Sequence, residues 1–122
     1  MKRMMLLVVL SLISSMLYAG YAATFEVTIS GNLAYGSLRD VRYSSDSTQY
    51  ISCYTQHPLG GSSYGSCMAR NAAGTYKSCF TTDPGMLATI RSLGSTSDYV
   101  WFIANASGGC ERISVVSGSH ML

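Results

Sequence analysis

Four cysteines, Cys53, Cys67, Cys79 and Cys110, follow an amino-terminal stretch built for export, and this combination constrains the fold more than any other feature of the chain. Lys2 and Arg3 make a basic start, Met4 to Leu17 is apolar apart from serines, and Ala19, Gly20, Ala22 and Ala23 offer the small side chains a signal peptidase requires. A membrane-spanning helix needs about 20 apolar residues. This run is shorter and ends in small residues, so residues 1–22 read as a signal peptide, with cleavage after Ala23 as the alternative. No cysteine lies at the junction to carry a lipid. The expected product is secreted or periplasmic, with no membrane insertion once the signal is removed.

An exported chain meets an oxidising compartment, so two disulfides are expected. Three connectivities are available to four cysteines. Cys53 with Cys67 and Cys79 with Cys110 are favoured, because the first spans a loop of hairpin scale and the second ties a late strand to the middle of the chain. The rival pairing of Cys67 with Cys79 suffers if "NAAG" is a four-residue turn, since Cys67 then lies opposite Ser78 and one residue of register reverses the side a residue faces. Each bridge contributes roughly 3 to 4 kcal/mol on a loop-closure estimate, comparable with much of the stability of a small domain.

Residues 23–122 form one domain by size, with a single modest core. The chain carries eight Lys and Arg against six Asp and Glu, and loss of Lys2 and Arg3 makes residues 23–122 neutral. Six scattered basic residues do not build the cationic surface that displaces counterions from phosphate, so nucleic acid is not an expected partner. The cysteine spacings do not resemble a zinc site, and His57 and His120 lie in a loop and at the tail. No metal and no cofactor are expected.

Short runs of β-branched and aromatic residues, separated by Gly, Ser, Asn and Asp, read as strands. "TFEVTIS", 24–30, turns Phe25, Val27 and Ile29 one way and its polar residues the other. Leu38 to Tyr43 reads as a weaker strand, Ser44 to Ser47 as a turn, and Gln49 to Thr55 as a strand with Ile51 and Cys53 on one face. His57 to Ser66, with Pro58 and three glycines, reads as a loop. Cys67–Arg70 and Thr75–Thr81 make a hairpin. Met86, Ile90 and Leu93 fall at helical spacing, with Asp83 to cap, Pro84 in the first turn and Gly94 to stop, predicting one helix over about 84–93. Ser97 to Ala104, the most apolar strand, is expected to be central and covered on both faces, with Trp101 in the core. The fold expected is a mainly β, small antiparallel sandwich or open barrel of six to eight strands, with one short helix and two disulfides.

"RYSSDSTQYISC", 42–53, gathers Arg42, Asp46 and Tyr50, which are able to converge on a polar ligand; a turn with a surface ion pair between Arg42 and Asp46 is the plainer reading. Together with "SCMARNAAGTYKSCFTTDP", 66–84, this segment resembles an uncharacterised group of short exported bacterial proteins. The resemblance implies export and a bacterial source and carries no catalytic residue. A serine hydrolase needs a base beside its nucleophile, and "GGSSYGS" lacks the GxSxG elbow. Six carboxylates give little material for a glycosidase pair. No enzyme activity is therefore expected, a small hydrolase being the weakest alternative.

Residues 23–122 carry seven tyrosines, too many for so small a core to bury with their hydroxyls satisfied. Exposed tyrosine among serine and glycine is the composition of adaptable binding surfaces. The expected function is contact with a protein or glycan, as a binding or inhibitor-like module, through Arg42, Tyr50, Tyr54, His57 and Tyr64. The alternative is a fibre subunit that self-associates through its amino-terminal strand, 24–30, on a neighbour's sheet edge.

Overall fold

The computed structural model describes residues 20–94 and 98–121. Most of the expected signal peptide, Ser97 of the expected apolar strand and the final residue lie outside them. Among the described residues, seven strands form two antiparallel sheets that do not close into a barrel. One sheet has the order β1 (Thr28–Ser30), β2 (Leu33–Ser37), β6 (Asp98–Ala104), β7 (Cys110–Ser117). The other is a meander of β3 (Tyr50–Gln56), β4 (Tyr64–Arg70) and β5 (Tyr76–Thr81). The meander and two helices, α1 (Leu38–Arg42) and α2 (Pro84–Arg91), are inserted in sequence between the paired strands β2 and β6. A 3-10 turn, Ser119–Met121, follows β7.

Alternation decides what goes inside. Ala34, Val100, Phe102 and Ile113 from the first sheet and Ile51, Cys67, Ala69 and Cys79 from the second belong to one buried cluster with Val27, Val41 and Ile90. Helix α2 forms as its signals predict: Asp83 Oδ2 accepts from the Met86 amide at 2.9 Å, Pro84 opens the first turn, and Leu87 and Ile90 are buried. It lies close enough to β4 that a Cβ on Gly65 would stand 2.9 Å from Leu87 Cδ2 and 2.8 Å from the Tyr54 carbonyl oxygen.

Both favoured disulfides form, Cys53–Cys67 and Cys79–Cys110. The first joins residues directly opposite each other on β3 and β4. The second links the two sheets where Phe80 donates its amide to the Gly108 carbonyl at 3.0 Å. The register expected to disfavour the rival pairing is corrected. The loop between β4 and β5 has five residues, 71–75, with Gly74 at φ +86°, so Cys67 stands opposite Cys79 rather than Ser78.

Several expectations are corrected. Leu38–Tyr43 is no strand: Ser37 accepts the Asp40 amide as an N-cap, and Leu38 and Val41, three apart, pack inward on α1. The preceding stretch, Leu33–Ser37, is the strand instead. The loop after β3 ends at residue 63, since Tyr64–Ser66 already pair with Tyr54–Gln56. Strand β6 is central but covered on one face only: Val100 and Phe102 point inward, while Tyr99, Trp101 and Ile103 lie half-buried on the outer face. Trp101 is therefore outside the core, with the Arg112 guanidinium 5.7 Å from its ring.

Candidate functional site

The outer face of the three-stranded sheet is the part of the described surface where aromatic rings are most freely offered. Period-two alternation, with Ile51, Cys53, Cys67, Ala69 and Cys79 turned inward, sends Tyr50, Tyr54, Tyr76 and Phe80 outward. Register then groups them. Tyr50, Arg70 and Tyr76 form one row across the three strands, Ser52, Met68 and Ser78 the next, Tyr54, Ser66 and Phe80 a third, and Gln56 with Tyr64 a fourth. Tyr50 is 38 % exposed, Tyr54 40 %, Tyr76 51 % and Phe80 50 %. Tyr64 is partly covered, its ring 5.7 Å from that of Phe80 and its hydroxyl donating to Gln56 Oε1. Ser66 holds the middle of the face down by donating to the Cys79 carbonyl at 2.7 Å.

Of the five residues expected to bind, Tyr50, Tyr54 and Tyr64 share this face. His57 lies just past the end of β3, its Nδ1 2.8 Å from the Ser63 hydroxyl across the neck of the connecting loop. Arg42 stands apart on α1. Of the other four expected residues, Tyr50 lines with it a groove of about 540 Å³ between α1 and the start of β3, along with Asp46, Ser47 and Gln49. Sequence reasoning missed Arg70, Tyr76 and Phe80 as members of the face. The alternation "TYKSCF", with the cysteine inward, already implied that Phe80 points out.

The expected hairpin turn with an Arg42–Asp46 ion pair is corrected. Residues 43–49 connect α1 to β3 in the other sheet, and the Asp46 carboxylate serves that connection. Its Oδ1 accepts the Thr48 and Gln49 amides at 2.8 Å each, and its Oδ2 accepts Gln49 Nε2 at 2.6 Å. The Gln49 side-chain donor, reinforced by the two amides, lowers the Asp46 carboxyl to about 2 from the ordinary 3.8. Gln49 Oε1 in turn accepts the Val27 amide at 2.9 Å, and Asp40 Oδ2 accepts the Phe25 amide at 2.8 Å. Side chains thus take the amides of Phe25 and Val27 while the Phe25 carbonyl accepts the Ser37 amide of β2 at 2.8 Å, and of the expected strand 24–30 Thr28–Ser30 alone is paired in register with β2.

The outer face of the four-stranded sheet is also aromatic, with a groove of about 280 Å³ lined by Leu33, Tyr35, Tyr99, Trp101 and Ile103, but its rings are less exposed and three of the aromatic residues pack on one another. Phe25 and Tyr99 meet edge to face at 5.0 Å and Tyr35 lies 5.9 Å from Tyr99. Burial, with Tyr35 nearby, raises the Tyr99 phenol above its ordinary range. Among the described residues, no three His, Cys, Asp or Glu side chains gather as a metal site, and no helix is long and apolar enough to cross a membrane. No protein-family model, curated protein or solved structure matches the chain.

Proposed function

We propose that the chain is a secreted or periplasmic, non-catalytic binding module that holds a protein or glycan partner against the outer face of its three-stranded sheet. The observation that carries this reading is the cross-strand array Tyr50, Tyr54, Tyr76 and Phe80, each more than a third exposed on a sheet that the Cys53–Cys67 bridge ties together. Rings fixed on a paired sheet lose little conformational freedom when a partner covers them, which favours binding without ordering cost. Two disulfides suit an oxidising compartment. The resemblance to exported bacterial proteins agrees with this placement.

Pairing of Thr28–Ser30 with the chain's own β2, and the anchoring of Phe25 and Val27 by Asp40 and Gln49, favour a self-contained domain over a fibre subunit. The hydrolase alternative has one geometric asset, the His57–Ser63 contact. That pair sits on an exposed loop where water reaches both partners, a setting that gives little electrostatic preorganisation.

The test is retention of macromolecules from native culture medium on immobilised protein. A Tyr54→Ser, Tyr76→Ser, Phe80→Ser variant should retain its fold and lose the retained species. Tyr43→Ser, at an exposed position beyond α1, should keep them. Equal retention by both variants contradicts the reading.

A further inference from the structure

We propose that the groove between α1 and β3 is a binding site for a neutral sugar unit, with Tyr50 as its stacking wall and Arg42 as its principal donor. This inference rests on the binding-module reading and adds a ligand class and a location to it. The groove encloses about 540 Å³, within the range of small-ligand sites. Val41 and Ile51 lie beneath it but are almost wholly buried. For polar contacts the groove offers a ligand the Arg42 guanidinium, the Ser47 hydroxyl and the tyrosine. Half-buried Leu38 adds an apolar strip to that polar rim, which suits the C–H face of a ligand whose other edge carries hydrogen-bonding groups.

Charge narrows the ligand further. Arg42 and Asp46 both line the groove and their formal charges cancel, so neither an anion nor a cation is favoured by the site as a whole. The Asp46 carboxylate is already occupied by Thr48 and Gln49, whereas a guanidinium has five N–H donors in a planar fork suited to two neighbouring oxygens. The complement is an uncharged ligand rich in oxygen acceptors, with a C–H face to set against the electron-rich face of an aromatic ring. A pyranose ring has both. Because Tyr50 also opens the Tyr50–Arg70–Tyr76 row, a chain of sugars leaving the groove would continue onto the sheet face.

The experiment is an NMR titration of the ¹⁵N-labelled full domain with neutral tetrasaccharides of glucose, N-acetylglucosamine, mannose and galactose, and with tetragalacturonate and an acidic peptide as charged comparators. Saturable shifts at Arg42, Ser47, Gln49 and Tyr50 with at least one neutral saccharide are expected. Arg42→Gln and Tyr50→Ala, checked for unchanged melting, should each weaken binding about tenfold, the loss expected for one charge-assisted contact at Arg42 and for one stacked ring at Tyr50. Tyr76→Ser should leave a shift at the groove. Binding by the charged comparators alone, shifts confined to the Trp101 face, or no shift with any neutral saccharide overturns the inference. If that happens while the Tyr54, Tyr76 and Phe80 variant still loses its partner, the sheet-face reading stands and the groove alone is discarded.

Discussion

Asp46 illustrates how much one half-buried side chain organises, because its carboxylate collects the donors that shape residues 44–49, and Gln49 passes that order on to Val27. Its carboxyl is depressed to about 2. The ordered loop is therefore favoured above the ordinary value of 3.8 and loses that contribution as pH falls through the folded value. We expect the Thr48 and Gln49 amide shifts to hold steady from neutral pH to about pH 3 and to move with a midpoint of about 2, a transition absent from Asp46→Asn; a midpoint close to 4 contradicts this. Gly65 carries a different constraint. A methyl group there would press on the Tyr54 carbonyl, which cannot swing away as a side-chain tip would. Gly65→Ala should cost about 1 to 3 kcal/mol in urea unfolding, and an unchanged midpoint would show that α2 does not pack as described. His57 and Ser63 give a third prediction: a fluorophosphonate probe leaves the protein unmodified, whereas labelling at Ser63 that His57→Ala abolishes would restore the hydrolase alternative.

Elements whose local signals agree with their surroundings are legible from sequence. Helix α2 has its cap, its proline and its apolar spacing in a single stretch, and Asp83→Ala should lower stability by about 1 kcal/mol, with Asp83→Asn close to neutral. Helix α1 is opaque for a physical reason. Five residues contain little more than one turn, so "LRDVR" satisfies a two-residue period as well as a helical one, and the deciding contacts come from Val41 in the distant core and from the Ser37 cap. Trp101 fails similarly: an unbroken apolar run does not disclose that only Val100 and Phe102 have a second sheet above them. The sheet face is half legible. Tyr50, Tyr54 and Tyr64 follow from alternation and composition, but their grouping with Arg70, Tyr76 and Phe80 depends on a register set by a five-residue loop, one residue longer than "NAAG" suggests.

At the scale of the molecule, the two bridges act differently. Cys53–Cys67 closes a separation of 14 residues within one sheet, and Cys79–Cys110 closes 31 and joins the sheets. Replacing the pairs by alanine should cost roughly 3 and 4 kcal/mol respectively on loop-closure grounds, measured by denaturant unfolding; the reverse order would mean that the junction near Phe80 and Gly108 holds without its sulfur link. The face proposed to bind lies on the smaller sheet, so tying that sheet to the larger one gives its exposed rings a fixed platform. Hydroxyl-radical footprinting of the protein in native medium against buffer tests this assignment most directly. Protection of Tyr50, Tyr54, Tyr76 and Phe80 with Trp101 unchanged is the predicted result, and protection of Trp101, Tyr35 and Tyr99 instead, or of neither face, would contradict it.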